Sequence, residues 1–480
     1  MSDYDVIVIG CGPAGQKAAI KCGKVGAKVA VVDERQVVGG NCLHIGTIPS
    51  KTIRSAIIYL SGYHEKKMYG DNYRVKENIT ADDLMYRCNR IIRREIDVIH
   101  SQLVRNHVDV ISGHGHFLDA NTLRVEDTVG TEDYTADNFI IASGARSYSH
   151  YHPPYDNVHI FNTDDILELR YLPKKLCIIG GGVIGLEYAG MFSLLGIEVH
   201  VISQYKTLLP FVDRELVEVL KGHMVRHGVV FHLEEELSDI QVAGPKDVRA
   251  TTLAGDELQF DMMFIAAQRW GNTNTLNLTA AGVEVIDKDY LKVDSNYKTN
   301  IPHIYAAGDV IGYPSLAATA IDQGRKAANA ILQIDDIPYE PLFPYGIYTC
   351  PDISMIGESE ESLNKAGIQY EVGVGYFGDT AKGQMAGNSD GMVKLLFDPD
   401  DHRILGVHII GFESTELIHI GQCVMINGGR LDYFIDTVFN YPTMAEAYKI
   451  AALNGFNKLK ISRPRDVHDH SDALISSTPS

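Results

Sequence analysis

"YDVIVIGCGPAGQKAAIKCGKVGAKVAVVDE", residues 4–34, decides the fold. An apolar run from Val6 to Ile9 leads into Gly10, Gly12 and Gly15, spaced G-x-G-x-x-G. A helical pattern opens at Pro13 and Ala14, and a second apolar run, Val29 to Val32, ends at Asp33 and Glu34. The order is strand, turn, helix, strand. Glycine at those three places permits a tight turn, close backbone approach to a pyrophosphate, and close packing of helix on strand. The helix N-terminus suits phosphate charge. A carboxylate at Asp33 stands where it can accept hydrogen bonds from a ribose.

The unit recurs in "LCIIGGGVIGLEYAGMFSLLGIEVHVIS", residues 176–203. Gly180, Gly182 and Gly185 follow the strand Leu176 to Ile179, Val183 and Ile184 open a helix, and a second strand runs Glu198 to Ile202. Two such units predict two Rossmann-like α/β domains, each with one dinucleotide. A third segment, "IPHIYAAGDVIGYPSLAATAIDQGR" (301–325), places an apolar strand before Gly308 and Asp309. A helix is expected from about Leu316, with Ala317 in its first turn.

Working outward, 480 residues allow about three domains. A net charge of −19 repels nucleic-acid backbones and anionic membranes. The opening "MSDYDVIVIG" carries acidic residues where a secretory signal needs positive charge. The apolar stretch 176–202 contains Glu187 and four glycines, so it reads as strand, turn and helix, not as a membrane span. Seven cysteines, at 11, 22, 42, 88, 177, 350 and 423, show no C-x-x-C pair. That suits reduced thiols in a cytoplasm and offers no metal site. The His468–Asp469–His470 run sits in a polar tail, 461–480, expected to be disordered.

With the motifs in this order the chain resembles the pyridine nucleotide–disulfide oxidoreductases over residues 4 to about 460. Matching stretches include "HIGTIPSK" (44–51), "YAAGDVIGYPSLA" (305–317), "GIYTCPDIS" (346–354), "ELIHIGQ" (416–422) and "FNYPTMAEAYKIAALNGFNKL" (439–459). The resemblance implies non-covalent FAD held by Gly10, Gly12, Pro13, Ala14, Gly15, Asp33, Glu34, Gly40, Asn41, Cys42, Thr47, Lys51, Gly115, Ser143, Gly144, Gly308, Asp309 and Ala317. It implies that Lys51 pairs with Glu187 beside the reactive flavin nitrogen, where a cation stabilises negative charge on the ring. It also implies a layout. An FAD domain takes 1–150 and 276–335, a nucleotide domain 151–275, and a dimerisation domain 340–460, in a homodimer, with higher homo-oligomers left open.

Two departures from the disulfide reductases of that family occur together. Thr47 stands where the second redox cysteine is expected, five residues after Cys42. Tyr441 replaces the histidine of a His-Pro-x-x-x-Glu segment that here reads Tyr-Pro-Thr-Met-Ala-Glu, 441–446. A neutral imidazole is a useful base near pH 7; a phenol is not. Both losses suit an enzyme without thiol–disulfide exchange. Cys42 is then a flavin contact, not half of a disulfide. His44 and His419 read as structural polar contacts.

Electrons must therefore leave to a diffusing acceptor. The resemblance is strongest to members that pass hydride between NADPH and NAD⁺ through FAD, and one nicotinamide cradle implies a ping-pong scheme. That cradle comprises Gly180, Gly182, Val183, Ile184, Gly185 and Glu187. Its second strand ends in Ser203, Gln204 and Lys206, neither an acid that repels a 2′-phosphate nor an arginine that binds one. Arg269, after Gln268 in "AAQRWGN", closes the proposed NAD(P) set. An NAD(P)H oxidase or quinone reductase on the same scaffold stays open, as does a non-catalytic FAD-binding subunit. The intact second cradle, Lys51 and Glu187 argue against the last.

Overall fold

The structure is a computed structural model describing residues 2–70, 72–149, 151, 153, 155–266, 268–335 and 342–462. The expected tail falls outside the described residues from 463 onward, together with its His468–His470 run. The chain forms two compact units. One is drawn from residues up to Pro210 and from Lys221 onward, the other from Phe211–Leu220 and the chain from Leu342.

The first unit contains the two glycine-turn segments, each at the centre of a parallel sheet. Tyr4–Ile9 lies between Val29–Asp33 and Thr131–Ile141, parallel to both. Val108–Ser112 flanks the former, and Ile304–Ala306 adds in parallel to the latter. Thr131–Ile141 also runs into an antiparallel extension with Thr122–Glu126 and His114–Phe117. Both faces of the sheet are covered. Val6, Val8, Val29 and Val31 pack on Ala14, Ala18, Ala19, Ala327 and Ala328. Ile7, Ile9, Ala30 and Val32 pack on Phe117, Leu123 and Val125. That double burial is why these strands read as unbroken apolar runs instead of alternating ones.

The second sheet runs Val229–Leu233, Glu198–Ser203, Lys175–Ile179, Met262–Ile265, Ile160–Asn162, all parallel. A three-stranded antiparallel sheet, Leu237–Gly244, Asp247–Thr252 and Glu257–Phe260, precedes its Met262–Ile265 strand. The chain passes between the two parallel sheets through a ribbon, Ala145–Tyr148 paired antiparallel with Gln268–Gly271. Among the described residues, no helix is long and apolar enough to cross a membrane.

The second unit is an antiparallel sheet in the order Tyr345–Ile347, Ile353–Gly357, Ile404–Ile410, Met392–Phe397, Glu371–Tyr376. Helix Glu446–Ser462 lies so close to the last strand that a Cβ on Gly373 would sit 2.2 Å from the Ala451 carbonyl oxygen. Phe377, Phe397, Phe434 and Tyr448 fill its core.

Candidate functional site

In the first glycine turn, Gly10 has φ +103°, a region that disfavours every other residue. A Cβ there would also strike the Ala142 carbonyl oxygen at 2.4 Å, and one on Gly15 would lie 1.9 Å from the Gly10 oxygen. Those two glycines serve the fold. Gly12 does not: its φ is −76°, and a Cβ would meet nothing closer than Gly40 Cα at 3.9 Å. The contrast repeats in the second turn. Gly180 has φ +117° and a Cβ on Gly185 would lie 1.9 Å from the Gly180 oxygen, yet Gly182, at φ −86°, faces open space. Neither the protein's own packing nor its backbone conformation requires glycine at 12 and 182, and such openness suits the close approach of a ligand.

Three segments meet at the first turn. A Cβ on Gly40 would lie 2.6 Å from Gly12 Cα, one on Gly308 3.0 Å from Ala14 Cβ, and one on Gly324 2.1 Å from the Ala14 oxygen. The N-terminus of helix Pro13–Lys24 is thereby held against the middle of helix Ala317–Leu332, at Gly324. Neither, nor the helix Val183–Ser193 of the second turn, has a side chain capping its first turn. Their leading N–H groups are left for an anion.

Polar groups around this turn are built but incompletely partnered. Asp33 Oδ2 accepts from Cys11 N at 2.6 Å and Oδ1 from Arg35 N at 2.9 Å. Burial raises the Asp33 carboxyl pKa, and those two N–H groups oppose it. Ser143 Oγ is buried with no hydrogen-bond partner among the described residues. Burial likewise raises Asp309, and Arg269 is the cation that pulls it back. A buried orphan hydroxyl is costly unless something else satisfies it. Uncapped N-termini, open glycines and an orphan hydroxyl fit a dinucleotide.

Lys51 and Glu187 link the helix after the Gly40–His44 segment to the helix of the second turn. Lys51, on helix Thr47–Ser61, places Nζ 2.7 Å from Glu187 Oε2 and 2.9 Å from Oε1. Glu187, on the helix of the second turn, is 5 % exposed. Cys42 is a free thiol. Burial pushes its pKa up; the Thr47 hydrogen bond lowers it, Asp309 raises it and Lys51 lowers it. The sulfur thus lies beside a hydroxyl.

The remaining expected residues fall as follows. Gly115 is tightly packed, since a Cβ would press Val32 Cγ1 at 3.2 Å, while Gly144, at φ +74°, faces open space. Glu34 is exposed, with His114 Nδ1 3.8 Å away. Ser203 is buried and accepts from Tyr205 N at 3.3 Å; Gln204 and Lys206 are exposed. Arg269 is committed to the ribbon, donating to Ser147, Asp164 and the Ala145 oxygen. His44 meets the Val38 oxygen and His419 the Gln422 side chain. Tyr441 is 73 % exposed.

Two residues escaped the sequence reading. Gln16 Nε2 donates to the Cys11 oxygen at 2.8 Å, and Gln323 Oε1 accepts from Gly308 N at 2.9 Å. Both side chains are buried on helices otherwise apolar on that face. A glutamine beside the motif glycines is the only signal either offered. Asp213, Glu215 and Glu360 form the one carboxylate group close enough to share a cation among the described residues, and the Lys394 ammonium already sits among them.

Two nucleotide cradles bridged by a lysine–glutamate pair define a two-dinucleotide oxidoreductase. The family model described as pyridine nucleotide-disulphide oxidoreductase matches residues 4–324, and its dimerisation domain matches 343–452. The chain belongs to that family. Among its relatives, a soluble pyridine nucleotide transhydrogenase of Mycobacterium bovis is 45 % identical over 463 residues, 96 % of this chain and 98 % of the relative. One of Klebsiella pneumoniae is 41 % identical over 469 residues, 95 % and 99 % of the two chains. The solved HOCl-induced flavoprotein disulfide reductase RclA from Escherichia coli superposes with a TM-score of 0.84 at 25 % identity, covering 94 % of this chain and 99 % of that one.

Proposed function

We propose that the protein is a pyridine nucleotide transhydrogenase that moves hydride between NADPH and NAD⁺ through non-covalent FAD, in turn at one nicotinamide site. FAD would lie in the first cradle, spanning the domain formed by 1–150 and 276–335, and the nicotinamide nucleotides in the second, 151–275. The dimerisation-domain match supports a homodimer through 340–460, and the charge and cysteine pattern support a cytoplasmic enzyme.

The observation that carries this reading is the Lys51–Glu187 pair, which ties the two cradles together beside a cysteine whose neighbour is Thr47. When bound, FAD supplies a two-electron acceptor and donor of hydride. Lys51 Nζ, held by Glu187, would offer a fixed positive charge to stabilise the negative charge of reduced FAD. Asp33 and the helix N-termini orient the adenosine and pyrophosphate. Gly182 admits the pyrophosphate of either nicotinamide nucleotide. Ser203 and Gln204 present neither attraction nor repulsion to a 2′-phosphate. Hydride enters and hydride leaves, so no proton needs a base, and the loss of histidine at 441 costs nothing.

The test separates the half-reactions under anaerobic conditions. NADPH alone should bleach the bound chromophore stoichiometrically. After NADP⁺ is removed, NAD⁺ should restore the colour and yield NADH, and initial-rate plots should be parallel. Lines that intersect, or re-oxidation by oxygen or quinone but not by NAD⁺, would sink the proposal.

A further inference from the structure

We infer that Arg269 is a positioning residue for the first cradle: through the Ala145 carbonyl oxygen it fixes Asn41 and the first turn of the short helix Gly40–His44. The inference rests on the reading that this cradle holds FAD.

Arg269 lies opposite Ser147 in the ribbon. Its Nη1 donates to Ser147 Oγ and to Asp164 Oδ1, each at 3.1 Å. Its Nη2 donates to the Ala145 oxygen. Ser147 Oγ also donates to Asp164 Oδ1 at 2.9 Å and lies 2.7 Å from Thr163 Oγ1, so the acceptors are themselves held. A guanidinium is a planar fork whose value lies in filling several acceptors at once. Here that fork is filled by the protein. A nucleotide phosphate would have to break an ion pair with Asp164 to use it.

The Ala145 oxygen has a second donor, Asn41 Nδ2, at 2.7 Å. Asn41 Oδ1 in turn faces Arg35 Nη2 at 3.3 Å. One carbonyl therefore carries both the guanidinium of the ribbon and the amide of the residue before Cys42. The same turn presses Gly40 onto Gly12, the open glycine of the first cradle. A loosened Ala145 oxygen would release Asn41 and let that contact shift. Arg269 has a second line to the cradle, because its charge opposes the burial that raises Asp309. Its own carbonyl accepts from Tyr290 Oη at 2.6 Å, which pins the backbone from the other side.

The experiment measures FAD affinity of the apoprotein by equilibrium dialysis and NADP⁺ affinity of the holoprotein by calorimetry. Arg269→Met should weaken FAD about tenfold, as expected for losing charge-assisted hydrogen bonds, and leave NADP⁺ binding unchanged. Asn41→Ala should weaken FAD too. Because both act on one acceptor, the double variant should lose less than the two singles combined. Arg269→Lys keeps the charge but not the fork, so it should fold and recover part of the affinity even if the methionine variant does not. Weakened NADP⁺ with intact FAD in the lysine variant would make Arg269 a nucleotide ligand and overturn the inference, as would additive losses in the double variant. A wild-type protein that bound no FAD would instead overturn the reading of the cradle itself.

Discussion

At the scale of single residues, the glycines divide into those the fold needs and those it leaves open, and the division can be tested. Gly182→Val should leave the melting temperature nearly unchanged, because a Cβ there meets no atom within 4 Å and φ is ordinary. The same variant should abolish both NADPH oxidation and NAD⁺ reduction, since the proposed scheme gives them one pyrophosphate position. Gly185→Val should instead fail to fold, with a Cβ driven to 1.9 Å from a carbonyl oxygen. A Gly182 variant that stopped one half-reaction and spared the other would require a second nicotinamide site. Lys51→Met addresses a different link. Stopped-flow traces should show slower bleaching by NADPH with little change in its dissociation constant, because the proposed role puts the charge at the reacting end and not on the adenosine half. An unchanged rate with weaker binding would reassign Lys51 to substrate binding.

At the scale of elements, the strand Met392–Phe397 buries a lysine completely. Lys394 Nζ lies 2.9 Å from Asp213 Oδ1 and 3.0 Å from Glu215 Oε2, and it also meets Glu360. Burial works against the charge, but hydrogen bonds to Glu360, Asp213 and Glu215 outweigh it and raise the ammonium pKa. A raised lysine stabilises the fold fully below its unfolded value of about 10.4 and loses that contribution as pH climbs through the folded value. Unfolding by denaturant should therefore show this contribution flat through neutral pH and falling only in strong alkali. Lys394→Met leaves Asp213 buried without its cation and should cost about 3–5 kcal/mol. Little of this was legible beforehand. Strand and helix starts were, because double burial and glycine turns leave local marks: Leu176 against an observed Lys175, Leu316 against Ala317. The antiparallel pairing of the ribbon was not, and neither were the partners of Arg269, which lie 105 to 124 residues away in the chain. A side-chain pair at that distance leaves no periodic trace in sequence.

For the whole molecule, the occurrence of Thr47 and Tyr441 in one sequence predicts what the enzyme should refuse. Dihydrolipoamide and glutathione disulfide should turn over negligibly in steady-state assays. Thr47→Cys alone should not create an efficient reductase, because the thiols would still lack an imidazole. Robust turnover of either disulfide substrate by the native protein would mean that another thiol pair serves. The ribbon has one more consequence. It carries Trp270, the single tryptophan of the chain, with its ring stacked 3.6 Å from that of Tyr148 and its Nε1 buried. Indole emission overlaps the near-ultraviolet absorption of a yellow chromophore, so a loaded protein should be dim and a stripped one bright. Every photon of indole fluorescence comes from that one crossover between the parallel sheets, which makes it an intrinsic optical gauge of cofactor occupancy.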